Sequence, residues 1–244
     1  MTDDLNHRRG FLRRVIAVVP AASIATGAGI TQVACTDKPA AADSVAARST
    51  AAYAPTYLND PEWQFVSAAV AHLIPADDLG PGALEAGVPE FIDRQLETPW
   101  GYGKLWYMQG PFHPEADADF GYQNNMSPRD IYRHGVADCD AWCRQNRNGK
   151  NFVQLDKAAQ QEILHMLDDK KIDLPSVPTK LFFTYLLNNT REGFFADPIY
   201  GGNQGMVGWK LIGFPGARAD FMDWIDQPNK PYPLGSVSIN GARA

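Results

Sequence analysis

The side chains able to do chemistry are few and scattered. His134, Asp138, Cys139 and Cys143 lie close together, and imidazole, carboxylate and thiolate are the usual ligands of zinc. His134 precedes Cys139 by five residues, however, so the two share a helical face poorly. The group reads as ordinary surface and core side chains rather than a metal site. His72, His113 and His165 have no ligand or triad partner in the sequence and read as packed or solvated histidines. The glycines at 201, 202, 205 and 208 follow a helical pattern, not a strand, and lack the dinucleotide-binding spacing. No Cys-x-x-Cys-His is present for haem attachment. Two cysteines in the body are too few to ligate an iron–sulfur cluster within one chain. Nucleophile-elbow and zinc-protease helix motifs are also missing.

The elements that must position these residues are helical. The 244 residues are 45% hydrophobic and 20% charged, enough for one domain with a real core or two small ones. A net charge of −6 gives no basic face for nucleic acid. Mean hydropathy of −0.30 excludes a polytopic membrane protein. Asn59 or Asp60 caps a first helix, with Pro61 in its first turn and Trp63, Val66, Val70, Leu73 and Ile74 at helical spacing. A second helix is predicted over 89–97. Ser127-Pro128-Arg129-Asp130 starts a third that runs to about residue 146, and Asp156 caps a fourth reaching 168. A fifth starts at Pro178 or Thr179 and reaches about 191, and a short last one is expected over 217–225. No segment alternates like a strand. The fold class is mainly α: a single irregular helical domain over 59–244, with long loops rich in Gly, Pro and aromatics.

The N-terminus is a different unit. Residues 1–42 carry Arg8, Arg9, Arg13, Arg14 and Lys38 against Asp3, Asp4 and Asp37, so a basic start precedes an acidic body. After Arg14, residues 15–34 are uncharged and rich in Ala and Gly. A basic region, an apolar run and small residues at a cleavage point make a signal peptide. Arg8-Arg9 followed by Phe11-Leu12 resembles the twin-arginine consensus, with His7 and Arg13 departing from its usual flanks. Export in the folded state through the twin-arginine translocase is therefore expected, with cleavage near Ala40-Ala41-Ala42. The apolar run is close to the about 20 residues that span a bilayer, so an uncleaved anchor is the alternative. Lipid attachment at Cys35 is another, although Gln32 makes a poor lipobox. Residues 43–58, rich in Ala, Ser and Thr, are expected to form a flexible linker.

The most specific stretch runs from Arg191-Glu192-Gly193-Phe194-Phe195-Ala196-Asp197-Pro198 through Gly201-Gly202-Asn203-Gln204-Gly205-Met206-Val207-Gly208-Trp209 to Phe214-Pro215-Gly216. Physically it is a helix end followed by a Gly-rich loop with aromatic anchors, a structural loop before it is a phosphate cradle. It resembles the small subunit (gamma chain, subunit 3) of membrane-bound gluconate 2-dehydrogenase. The likeness extends to Leu73-Ile74-Pro75-Ala76-Asp77-Asp78-Leu79-Gly80-Pro81-Gly82-Ala83 and Phe91-Ile92-Asp93-Arg94-Gln95-Leu96, and covers roughly residues 60 to 240.

The resemblance implies an accessory, non-catalytic chain that carries no cofactor itself. It implies partners: a FAD-bearing large subunit of the glucose–methanol–choline oxidoreductase type and a multihaem cytochrome c subunit. It also implies export of the large subunit together with this chain, to the periplasmic, outer face of the cytoplasmic membrane. A self-contained exported enzyme with its chemistry in the 197–216 loop, and a stand-alone envelope binding protein, are the alternatives. Trp100, Tyr102, Trp106, Tyr107, Met108 and Phe112 crowd between glycines and are expected at the partner interface or in the chain's own core. Cys139 and Cys143 share one face of the third helix, where a mutual disulfide is geometrically awkward. In an oxidising compartment at least one is expected in a disulfide, preferably to the large subunit.

Overall fold

The computed structural model describes residues 53–244. Arg8, Arg9, Phe11, Leu12, Cys35, the cleavage region and the first part of the expected linker lie outside the described residues. Among the described residues there are six α-helices and no strand: α1 Asp60–Leu73, α2 Val88–Leu96, α3 Pro128–Asn146, α4 Lys157–Asp168, α5 Thr179–Phe195 and α6 Val207–Ile212. None of them is long and apolar enough to cross a membrane. The mainly α class expected from the sequence holds.

The capping signals act as written. Asn59 Oδ1 accepts the Glu62 N–H at 3.0 Å while Glu62 returns the bond to the Asn59 N–H, also at 3.0 Å. Ser127 and Asp130 form the same reciprocal box at the start of α3. Glu62 is buried and its other oxygen meets Arg133 of α3 at 2.8 Å, so one acid both caps α1 and ties it to α3.

α5 is the hub, packing against α1, α2, α3, α4 and α6. Its Phe182 meets Phe65 of α1 at 6.1 Å and Tyr132 of α3 edge-on at 6.4 Å. Phe65 also packs at a tilt against Phe152, at 4.6 Å, from the turn before α4. Gly135 allows α3 to approach, since a Cβ there would stand 2.1 Å from the Phe182 ring. The polar atoms of this core are matched: the buried Tyr132 hydroxyl donates to Asn189 Oδ1 at 2.9 Å.

Two boundaries differ from expectation. α5 runs a turn further, to Phe195, because Gly193 faces Phe91 of α2 so closely that the helix end is packed rather than frayed. The helix expected over 217–225 is absent; only a 3₁₀ turn, Met222–Trp224, forms. Its apolar residues Phe221, Met222 and Ile225 face solvent, so no buried stripe supports a helix.

Residues 53–58, the described part of the expected linker, make specific contacts with the domain. From Tyr53 onward this segment is docked on α2 through Asp93, whose carboxylate is fully buried. Oδ2 accepts from the Tyr53 hydroxyl (2.7 Å), the Thr56 N–H (2.7 Å) and the Thr56 hydroxyl (2.9 Å). Oδ1 accepts from the N–H groups of Tyr57 (3.0 Å) and Leu58 (2.7 Å).

Candidate functional site

The Gly-rich stretch closes on itself. After α5, Asp197 caps a short 3₁₀ turn, Pro198–Tyr200, by accepting the Ile199 N–H at 3.1 Å. Asn203 is fully buried with φ of 46°; its amide donates to Ala196 O at 2.8 Å and accepts the Gly208 N–H at 2.8 Å. Gln204 ties the loop to the second helix, its N–H reaching Ala86 O and its side chain Glu90. Trp209 donates its indole N–H to Phe195 O at 2.7 Å and packs edge-on against Phe214.

Gly202 and Gly208 are spent on chain–chain approach. A Cβ on Gly202 would lie 2.2 Å from Gly193 O, and one on Gly208 2.1 Å from Phe194 O. An anion cradle needs N–H groups turned outward. Here those of Gly201, Gln204, Met206 and Gly208 all donate within the chain. Asp197 and Lys210 are the only charged residues of the loop. The Asp197 carboxylate is buried, bonded to Ile199, to the Ser238 hydroxyl and to the Ile239 N–H. The loop is an anchor for the chain's own C-terminal arm.

The other chemistry-bearing side chains are dispersed. His134 is exposed while Cys139 is fully buried, and Asp138 caps Ser176 through its N–H (2.7 Å) and hydroxyl (3.0 Å). His72 pairs with Gln160 at 2.9 Å, and His113 with Glu115 at 3.1 Å on the surface. No group of three or more His, Cys, Asp or Glu placed to hold a metal ion occurs among the described residues.

Cys139 and Cys143 are both free thiols, fully buried in the core. Cys139 donates its S–H to Cys143, and this bond together with burial holds Cys139 well above the ordinary thiol range. The expected disulfide to a partner conflicts with this placement. A bond across an interface needs a sulfur at the surface, and neither side chain reaches one. The physical reason is that their helical face, which the sequence correctly joins, is the core face of α3.

The aromatic run splits between core and surface. Trp100 is half-buried and stacks on Tyr185 of α5 at 6.0 Å; Trp106 is half-buried against Tyr122. Met108 and Phe112 are half-buried as well. Tyr102 and Tyr107 are exposed, Tyr107 at 71%, as are Leu105 and Phe120 of the same loop. Tyr102 is held in place: Arg129 lies between its ring (4.1 Å) and that of Tyr57 (3.9 Å) and pairs with Glu97 at 3.1 Å.

Sequence reasoning missed three features. The Asp93 cradle had one signal, an acid at a core position of an apolar helix turn. The Arg129 sandwich had none, because Tyr57 and Tyr102 come from distant loops. The third is an open groove of about 320 Å³ between the Ile74–Pro81 loop and the ends of α5 and α6, lined by Ile74, Leu79, Phe194, Val207, Lys210 and Leu211.

Fold and surfaces together define a small helical domain that spends its polar groups on fastening its own loops and leaves large apolar side chains outside. Residues 60–216 match the family described as Gluconate 2-dehydrogenase subunit 3, and the chain belongs to that family. The family implies a multi-subunit gluconate 2-dehydrogenase complex. No curated protein and no solved structure matches the chain.

Proposed function

We propose that this chain is the accessory small subunit of a periplasm-facing, membrane-associated flavoprotein dehydrogenase that oxidises D-gluconate to 2-dehydro-D-gluconate. The carrying observation is the family match over residues 60–216. In this reading catalysis belongs to a FAD-bearing large subunit of the glucose–methanol–choline oxidoreductase type, and electrons pass to a multihaem cytochrome c subunit. The small chain takes the large one through the twin-arginine translocase and stabilises it at the outer face of the cytoplasmic membrane. The Arg8-Arg9-Gly10-Phe11-Leu12 segment supports the route. The outward-facing Tyr102, Leu105, Tyr107 and Phe120 support partnership, since aromatics are enriched where proteins meet.

Replacing Arg8 and Arg9 by Lys tests the reading. Both this chain and the flavoprotein should stay in the cytoplasm, shown by fractionation with antibodies to each, and gluconate oxidation by membranes should fall with them. Normal periplasmic delivery of the flavoprotein in that variant refutes the export role.

A further inference from the structure

The C-terminal arm contains a closed lobe. Gly216 and Val237 meet at its base, where Ala217 N–H donates to Val237 O at 2.7 Å and Val237 N–H to Pro215 O at 3.2 Å. Arg218 donates to Gly235 O and Ser236 to Phe214 O, both at 2.6 Å, tightening the same neck. Just past it, Ser238 and Ile239 bind the buried Asp197. Residues 217–236 therefore leave and re-enter at one fixed point. The lobe has internal order: Tyr232 contacts Phe221 at 5.3 Å and Trp224 at 5.8 Å, edge-on in each case, and the Arg218 guanidinium lies 5.1 Å from its ring centroid.

What this ordered lobe presents to solvent is a mixed pattern. Phe221, Met222 (71% exposed) and Ile225 (64% exposed) face outward, interleaved with the exposed carboxylates of Asp220, Asp223 and Asp226. None of the three acids forms an ion pair among the described residues; Asp220 accepts only the nearby Met222 N–H. The two cations of the lobe are engaged elsewhere, Arg218 at the neck and Lys230 on Gln227. The family match ends at Gly216, so the lobe lies wholly beyond the matched segment.

We infer that the 217–236 lobe is a docking element whose Phe221, Met222 and Ile225 enter an apolar socket rimmed by Lys and Arg on the flavoprotein large subunit. This rests on the reading above that such a subunit is the partner. Exposed apolar anchors on a pre-ordered loop are what interface hot spots are made of. Unpaired acids around them call for a basic rim, which speeds encounter and excludes wrong partners. A lipid surface fits poorly, because anionic headgroups repel three carboxylates.

The test uses the full-length tagged chain, co-expressed with the flavoprotein and recovered from the cell envelope. Flavin fluorescence and mass spectrometry identify the partner in the eluate. Met222→Ser/Ile225→Ser should reduce recovered flavoprotein at least about tenfold, while circular dichroism stays unchanged because both side chains are exposed. Asp223→Lys/Asp226→Lys should slow association by roughly tenfold at low salt, a difference that fades as salt rises. Equal recovery by wild type and the serine variant overturns the docking role alone. Failure of the wild-type chain to recover any flavoprotein overturns the reading of the partner and the docking role with it. Flotation of the isolated wild-type chain, but not the serine variant, on phosphatidylethanolamine–phosphatidylglycerol vesicles assigns the lobe to membrane contact and overturns the protein socket.

Discussion

Asp93→Asn is a sharp probe of how this domain holds its entry segment. The carboxylate accepts five hydrogen bonds, three on Oδ2 and two on Oδ1. An amide of the same shape turns one acceptor into an NH₂ donor. In either orientation its NH₂ meets backbone N–H groups that cannot accept, those of 57 and 58 on one side or that of Thr56 on the other, while the Tyr53 and Thr56 hydroxyls can turn to accept. One or two charge-assisted bonds are lost outright, at about 1.5–3 kcal/mol each. The segment can escape part of that cost by undocking into water, so the net loss should be about 3 kcal/mol at pH 7.

The pH dependence gives a second handle on the same site. Burial alone raises the Asp93 pKa, but the N–H groups of Leu58 and Thr56 and the Tyr53 and Thr56 hydroxyls outweigh it, so its pKa lies below the ordinary 3.8. A carboxyl with a depressed folded pKa stabilises fully above its unfolded value and loses that contribution as pH falls through the folded one. The gap between wild type and Asp93→Asn should therefore be constant at pH values well above the unfolded carboxyl range and close progressively as pH falls through the depressed folded value. Urea denaturation across that range measures it, with hydrogen exchange at the amides of Thr56, Tyr57 and Leu58 as the local readout. Unchanged stability at pH 7, or a gap that persists undiminished in acid, refutes the cradle as the fastening.

Two further outcomes follow from the packing. Gly208→Ala drives a Cβ to 2.1 Å from the backbone oxygen of Phe194, so it should cost about 3 kcal/mol and lower Tm by roughly 6–12 °C in a melt; an unchanged Tm refutes the close approach. In a Cys35→Ser chain, Cys139 and Cys143 should resist alkylation in the native protein and react only on unfolding, with the chain running at its own mass on non-reducing gels; a reductant-sensitive band at the summed mass of two subunits refutes their core placement.

What could be read in advance was what is written locally. Asn59-Asp60-Pro61-Glu62 and Ser127-Pro128-Arg129-Asp130 state helix starts within four residues, and both form as written. The apolar spacing after Ser127 selects the buried face of α3, including the two cysteines, whereas on α1 it catches Val66 and Val70 but misses Phe65. Contacts that join distant segments left no such trace. Asp93 takes its partners from 35 to 40 residues away. The 217–225 stretch misled because its composition suits a helix, while the burial that stabilises a short helix depends on what the tertiary structure places beside it. The candidate site fared the same way: the loop glycines were visible, but their use, against the backbone of α5, was not.

The two non-helical arms meet one physical problem in one way. Ordering backbone costs about 1–2 kcal/mol per residue. In the entry arm only Leu58 goes fully into the core, too little burial to fasten 53–58 by apolar contact alone. Asp93 supplies the rest as a single charged acceptor shared by five donors. Asp197 does the same for the exit arm, gripping Ser238 and Ile239 while capping its own turn. The consequence reaches the surface. With its neck fixed by Asp197 and by the Gly216–Val237 contact, the lobe between them keeps Met222 and Ile225 presented in advance. Docking a pre-ordered element avoids the entropy that a free tail loses on binding. Asp197→Asn should therefore weaken recovery of the flavoprotein through a residue that the partner never touches.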